Sequence, residues 1–457
     1  MTRSEKAMPI ELHNRENMPK DIYERTGNKT SYHVPYHPEP VNGVISVPGS
    51  KSMTNRALLI AAESDGISEV NGIQLGDDAL HFISCLKDLG FETSINENDC
   101  IAGIRGCGGH IPKREAEIDV GSAGTAARFL TAMLAFSEGE YEIRCSDQMS
   151  VRPMKPLFRA LSMAGASFSW LGNEGYLPVR VRGNGGMSAH VELDISESTQ
   201  YLSALLITAS SLENGIDIKI TSDKKEGSYI GITVHMLKQA GVHVRYENGH
   251  YIVDGGQKVR SGRIDVEPDL SGACYFYAAA ALTGGSITVR GVRKDSVQGD
   301  RKMLSLLEKM GCTSVETAEG IKITGPSDGH LASFDEDMND YSDQAVTAAV
   351  LASYADGESV IRNVAHIAHQ ECDRINAIVT ELRRVGADVT SDGRDIHIVP
   401  GKIHGAAIET YGDHRIAMGM SLLGLRTPGI VIDDPQCCAK TFDSYFDVFD
   451  RLLGSQR

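Results

Sequence analysis

Two segments of this chain gather hydrogen-bond donors at the start of a helix. The first is Pro48-Gly49-Ser50-Lys51-Ser52, which breaks a short apolar strand and is followed by Asn55-Arg56 and the apolar run from Ala57 to Ala62. Backbone N–H groups, an ammonium, a hydroxyl and a guanidinium one turn later converge there, a combination that suits an anion. It is not a nucleotide P-loop, because Gly43 and Gly49 are one residue too far apart and Ser50 intervenes before Lys51. An ordinary surface helix start would use the same residues. The second segment, Asp119 to Arg128, runs from a strand through Gly121-Ser122-Ala123-Gly124-Thr125 into a helix of small residues. Such residues let a backbone approach a ligand, or a neighbouring element, closely. Neither this segment nor Gly103 to Gly109 carries a dinucleotide fingerprint.

Four cations stand in acidic surroundings: Arg152 before Pro153, Arg374 after Glu371 and Asp373, Arg415 in Tyr411-Gly412-Asp413-His414-Arg415, and Lys440 before Thr441. Singly, each suits a solvated or salt-bridged side chain. Together they matter, because an acidic protein that binds an anion must concentrate positive charge in a cleft. Two carboxylates, Asp343 and Glu371, each sit just before a helical run, Ala345 to Ala352 and Ile375 to Val385. That place suits a helix cap, and it equally suits a base and an acid facing one substrate.

The elements that must position these residues show a repeat. Helix-like stretches end in an apolar residue, then Gly, then a strand-like stretch, with the glycines at 90, 165, 241, 311 and 386. Their separations are 75, 76, 70 and 75 residues, and Gly454 follows 68 residues later. Gly suits the position past a helix C-terminus, where φ turns positive. An alternating hairpin follows, clearest in Val242 to Tyr246, Asn248-Gly249 and Tyr251 to Val253. A period near 75 is too long for a solenoid and suits a small α/β unit. Six such units group as three and three, giving two lobes. Residues 1–38 fall outside the period, and a polar, poorly ordered N-terminal arm is expected there.

Composition narrows the function further. The chain has 457 residues and a net charge of −16, which argues against non-specific binding to nucleic acid or to an anionic membrane. Its apolar runs are too short to span a bilayer, and no signal peptide opens the chain, so a cytoplasmic location is expected. Nine cysteines without a Cys-x-x-Cys spacing are expected to be reduced, mostly buried thiols.

In order along the chain stand Pro48 to Ser52 with Asn55-Arg56, Gly121 to Arg128, Arg152-Pro153 and Ser198-Thr199-Gln200-Tyr201-Leu202. Asp343, Glu371 with Asp373-Arg374, Asp413-His414-Arg415 and Ala439-Lys440-Thr441-Phe442 complete the series. The series resembles the enolpyruvyl transferase family, and within it the EPSP synthases, over about residues 40–450. The resemblance implies an α/β fold: a two-lobed inside-out α/β barrel of six βαβαββ repeats, three per lobe, with the active site in the interlobe cleft. Residues 39–49 and 266–457 would form one discontinuous lobe and residues 50–265 the other, with crossings near Gly49 and Asp265. The implied reaction joins the 5-hydroxyl of shikimate 3-phosphate to C2 of phosphoenolpyruvate, as in chorismate and aromatic amino acid biosynthesis. Phosphate is released, and no metal or cofactor is used.

By the same resemblance, Lys51, Ser52, Arg56, Ser198, Thr199, Gln200, Asp343 and Gln370 would contact shikimate 3-phosphate. Lys51, Gly124, Arg152, Gln200, Arg374, Arg415 and Lys440 would contact phosphoenolpyruvate. Asp343 would take the hydroxyl proton, Glu371 would protonate the methylene, and Lys51 completes the catalytic set. The partners are these two small molecules, with neither nucleic acid nor membrane, and the chain is expected to be a monomer. As in the family, glyphosate would occupy the phosphoenolpyruvate site, where Gly124 leaves room. Several positions depart from the family pattern: Ser122 replaces Asn, Phe129 replaces Pro, Gln370 replaces Lys, Glu226 stands where a phosphate-binding Ser is usual, and His366 replaces Asn. The loop cysteine of the UDP-N-acetylglucosamine enzyme is Asp147 here. A sister transferase with another hydroxyl acceptor and a non-catalytic anion binder stay open at this point.

Overall fold

Six four-stranded sheets repeat one pairing scheme in the computed structural model, which describes residues 23–26, 29–183, 185 and 189–454. In each sheet the first strand runs parallel to the second, and the second pairs antiparallel with the far strand of a hairpin. The sheet of Ala189–Leu193, Gly215–Ile220, Val244–Glu247 and His250–Asp254 is formed this way by one continuous βαβαββ segment. Its hairpin turns at Asn248 and Gly249, both with positive φ, as a two-residue turn between twisted strands requires. The five helix-ending glycines, 90, 165, 241, 311 and 386, all have positive φ between 87° and 105°. The period of 75 is thus the spacing of one helix-ending backbone conformation.

Three sheets borrow a piece from elsewhere in the chain. Asn42–Ile45 pairs with Ser286–Arg290, and Arg263–Asp265 pairs with Asp65–Asn71. Between these strands the chain crosses twice, and the crossings lie side by side: Ser50 N donates to Glu267 O at 2.8 Å, and Asp269 N to Pro48 O at 2.8 Å. The buried apolar side chains form two separate cores, one from Tyr32 to Ile45 and Leu270 to Leu453, the other from Met53 to Val266.

The sixth sheet corrects the expectation of a poorly ordered arm over residues 1–38. Residues 1–22, 27 and 28 lie outside the described residues. Lys29–His33, however, pairs antiparallel with Val431–Asp433, and with Tyr23–Thr26 it supplies the hairpin that completes the sheet. Tyr32 is fully buried, its ring 4.2 Å from that of Phe446 and its hydroxyl on Asp450. The polar composition of the segment hid one inward-facing tyrosine. Tyr32→Ala is expected to cost about 3–5 kcal/mol of stability, the usual cost of a buried aromatic truncation. Chemical unfolding of the variant checks this, and an unchanged midpoint would return the segment to the status of an arm.

Three wholly or almost wholly buried helices stand at the centre of each lobe: Lys51–Glu63, Gly124–Ala135 and Gln200–Ala209 in one, Leu270–Thr283, Ala345–Ala352 and His414–Ser421 in the other. They are buried on all sides because sheets and outer helices surround them, and the polar side chains they carry, such as Arg56 and Arg415, are buried with them. All nine cysteines are free, four buried and five half-buried. No helix among the described residues is long and apolar enough to cross a membrane.

Candidate active site

The central helices aim their N-termini at one cleft between the lobes. Lys51 and Ser52, Gly124 and Thr125, and Thr199 and Gln200 line it from one lobe; Ser342 and Asp343, just before Ala345–Ala352, and Arg415 line it from the other. The sixth helix, Leu270–Thr283, opens on an adjoining crevice through Ser271 and Gly272. Several of these helices start without a side-chain cap. Their first N–H groups and the positive ends of their dipoles therefore favour negative charge in the cleft.

One wall holds three buried guanidinium groups with no carboxylate in ion-pair distance among the described residues. Arg56 donates to Thr233 Oγ1 (2.7 Å), to Ser52 O (2.8 Å), and to Ser203 Oγ and Tyr229 O (3.1 Å each). Arg128 reaches Gln200 Oε1 at 2.5 Å, and Arg152 is 7% exposed. Burial pushes the Arg56 and Arg128 guanidinium groups down to about 10, and for Arg128 the neighbouring Arg152 adds to the effect. The Nε atoms of Arg128 and Arg152 lack a hydrogen-bond partner. Unpaired buried cations are costly, and an anionic ligand would relieve them. A Cβ at Gly124 would come within 2.6 Å of Arg152 Nη1 and 3.1 Å of Arg128 Nη1, so glycine lets both groups close over that helix start.

The facing wall holds the carboxylates. Arg374, 1% exposed, joins three of them: Nη1 to Asp343 Oδ1 at 3.1 Å, Nη2 to Glu371 Oε2 at 2.7 Å, and Nε to Asp413 Oδ2 at 2.7 Å. Asp343 also accepts from Arg415 Nη2 (2.7 Å) and from the Tyr229 hydroxyl across the cleft (2.6 Å). Burial alone would raise the Asp343 carboxyl, but Arg415 and Arg374 outweigh it and hold the group low. Glu371 is likewise held well below the usual carboxylate range: burial opposes this, and Lys440, Arg374, Arg152 and Lys51 overcome it. Asp413 caps His414–Ser421 and fixes Arg374 from behind.

Lys51, Ser52, Arg56, Gly124, Arg152, Ser198, Thr199, Gln200, Asp343, Gln370, Glu371, Arg374 and Arg415 all line this cleft. Lys440 stands behind its wall, with Nζ 3.3 Å from Glu371 Oε1 and 3.5 Å from Ser122 O of the opposite lobe. The lobes also touch through Gln148 Nε2 to Glu371 O at 3.3 Å. Outside the cleft, His190, Asp217 and His250 on one sheet face bring metal-ligand atoms within 4.8 Å of one another.

The model of one protein family, EPSP synthase (3-phosphoshikimate 1-carboxyvinyltransferase), matches residues 35–449. The chain belongs to the EPSP synthase family. It is 40% identical to the 3-phosphoshikimate 1-carboxyvinyltransferase of Trichormus variabilis over 422 residues, 92% of this chain and 99% of that one. It is also 40% identical to the Colwellia psychrerythraea enzyme of that name over 412 residues, 89% of this chain and 96% of that one. Among solved structures, an EPSP synthase from Acinetobacter baumannii superposes with a TM-score of 0.77 at 26% identity, covering 93% of this chain and 98% of that one.

Relative to the EPSP synthase pattern, several departures sit harmlessly in the structure. Ser122 meets Lys440 through its backbone carbonyl, so its side chain is not part of that contact. Phe129 lies 5.5 Å under the Arg56 guanidinium, a cation–π contact that helps hold it. His366 pairs with Ser342 Oγ at 2.8 Å, and burial pushes its imidazole down to about 4, so it is neutral. Sequence reasoning gave no role to Arg128, Tyr229, Lys224 or Asp413. Arg128 was legible as the cation ending the Gly-rich segment; nothing in the local sequence pointed to Tyr229 or Lys224.

Proposed function

We propose that in this cleft Asp343 and Glu371 act as the base and the acid of enolpyruvyl transfer from phosphoenolpyruvate to the 5-hydroxyl of shikimate 3-phosphate. The observation that carries this reading is that one buried guanidinium, Arg374, fixes both carboxylates opposite the unpaired Arg56, Arg128 and Arg152. A mere anion binder has no use for two carboxylates on the wall facing its ligand.

The residues divide the work. Arg152, Lys51, Gly124, Gln200, Arg374, Arg415 and Lys440 form the phosphoenolpyruvate end; Lys51, Ser52, Arg56, Ser198, Thr199, Gln200, Asp343 and Gln370 form the acceptor end. Asp343 takes the hydroxyl proton as the oxygen attacks C2, and Glu371 delivers a proton to C3, which becomes a methyl group. Glu371 then removes a proton from that methyl as the C2–O bond to phosphate breaks, restoring the double bond. Glu371 must therefore be protonated when both substrates are bound. Four cations hold it low against the effect of burial; a bound phosphate and carboxylate occupy the field of those cations and raise its pKa. Lobe contact around the ligands excludes water from the reacting atoms.

Both walls come from one chain, so the lobes 39–49 with 266–457 and 50–265 suffice as a monomer. The test is phosphate release from purified protein supplied with both substrates. Release that needs both supports the reading, whereas binding of phosphoenolpyruvate without release would transfer the reading to another acceptor.

Gln370 leaves one fewer cation on the wall than the family pattern has. Gln370→Lys is expected to tighten inhibition by glyphosate about 10-fold, the worth of one charged hydrogen bond. The ratio of inhibition constants measures it, and a ratio near one would confine the influence of Gln370 to the acceptor end of the shared cleft.

A further inference from the structure

The acceptor's phosphate end is where this cleft departs furthest from the family pattern. The position of the usual phosphate-binding serine is Glu226, but Glu226 is exposed, stands beside Tyr251 and does not line the cleft. Ser228, two residues on, does line it, yet its hydroxyl donates to Asp340 O across the cleft at 2.6 Å. The phosphate end has therefore lost one hydroxyl and has no free hydroxyl in its place.

Lys224 lines the same stretch of wall. Its loop is tied down on both sides: Ser222 Oγ donates to Lys224 O at 2.9 Å and accepts from Ile195 N at 3.2 Å, just before the segment carrying Ser198 and Thr199. The ammonium packs over Gly227. A Cβ built on Gly227 would lie 3.3 Å from Lys224 Cε, 3.7 Å from its Nζ and 3.7 Å from Thr199 Cγ2. Lys224 and Thr199 thus flank the same glycine, which has no side chain to separate them.

Among the described residues the ammonium makes one hydrogen bond, to Asn339 Oδ1 of the opposite lobe at 2.6 Å, out of three that an ammonium can donate. Asp340, the carboxylate that acts on it most strongly, is itself paired with Lys302 at 2.7 Å. His366 is neutral, partly because Lys224 is close, and so adds no competing charge.

We propose that Lys224 is the specificity-determining residue for the acceptor's phosphate monoester, a mobile cation that takes over from the hydroxyl lost at Glu226. The proposal rests on the acceptor being shikimate 3-phosphate. The ammonium donates to Asn339 Oδ1 in this structure, and with the acceptor bound it joins Ser198 and Thr199 on the phosphate. A compact point charge on a flexible stem suits this transfer better than a fixed guanidinium fork would.

The test is steady-state kinetics on the full chain with shikimate 3-phosphate and with shikimate, for wild type, Lys224→Met, Lys224→Gln and Lys224→Arg. Loss of the cation is expected to raise KM for shikimate 3-phosphate about 10- to 100-fold, as for a charge-assisted hydrogen bond. KM for phosphoenolpyruvate stays within about twofold, turnover of shikimate is unchanged, and Lys224→Arg recovers most of the loss. Glu226→Ser, altered on the outward side, leaves all constants unchanged. An unaltered KM for the phosphorylated acceptor in Lys224→Met and Lys224→Gln overturns the proposal. So does an equal rise for both substrates, or a fall in kcat alone, since either marks Lys224 as a lobe latch through Asn339. Wild-type protein inert towards shikimate 3-phosphate overturns the acceptor assignment itself, and the role of Lys224 with it.

Discussion

Asp343→Asn is expected to lower kcat by about 10²- to 10⁴-fold, the usual worth of a positioned general base, with much smaller changes in either KM. The amide keeps the shape of the carboxylate, and its one carbonyl oxygen can still accept from Arg415 and Tyr229 on the Oδ2 side, while its NH2 group faces Arg374, which loses that acceptor. It cannot take a proton from the attacking hydroxyl. Asp343→Ala goes further, because it leaves two nearly buried guanidinium groups without that partner, so its loss of activity will come with a lower melting temperature. The contrast matters: an Asn variant with near wild-type kcat would make Asp343 a positioning residue for Arg374 and Arg415, and the base would have to be sought elsewhere.

Arg374→Met is expected to destabilise the fold by about 3–5 kcal/mol, the scale for stranding buried charge when one partner of an ion pair is removed. Three carboxylates, Asp343, Glu371 and Asp413, lose one shared cation, and the first two are held low partly by it. The sign of the pH dependence follows. A depressed carboxylate contributes stability above its unfolded pKa, near 4, and loses that contribution as pH falls through the folded value. The gap between wild type and variant is therefore widest at neutral pH and narrows on acidification below about pH 4. Thermal unfolding across that range measures it, and a gap that widened in acid would contradict the ion-pair account. Arg374→Lys keeps a charge without the three-way fork, so it should fall between the two.

Much of the site was legible because its residues mark the starts of helices. Lys51, Gly124 and Gln200 each open a central helix, and Asp343 and Arg415 lie within two residues of such a start. A helix start has a local signature: a strand, a Gly- or Ser-rich turn, then an apolar run. The positive charge that an acidic chain must gather also showed in the local sequence, at Arg152, Arg374, Arg415 and Lys440. Lys440, expected at the phosphoenolpyruvate end, has its Nζ beside Glu371 Oε1 and lies behind the residues that line the cleft, a depth that spacing does not encode.

Other features had no such signature. Tyr32 sits in a polar segment and is buried only because Val431–Asp433 and Phe446 wait for it some 400 residues away. Tyr229 reaches Asp343, and Lys224 reaches Asn339, only across the cleft. Glu226 looked like a charge aimed at a phosphate, until the backbone of its loop turned it outwards and brought Lys224 to the wall.

By itself the sequence determined the repeat, the helix starts and the types of chemical group available, because φ-demanding glycines, helix N-termini and apolar periodicity are properties of neighbouring residues. The tertiary structure alone decided which charges stay unpaired, which are neutralised and which side chains from opposite lobes meet. Those outcomes depend on burial and on distances between residues hundreds of positions apart. In this protein they leave Arg56, Arg128 and Arg152 without a carboxylate partner among the described residues, while Arg374 is committed to three carboxylates.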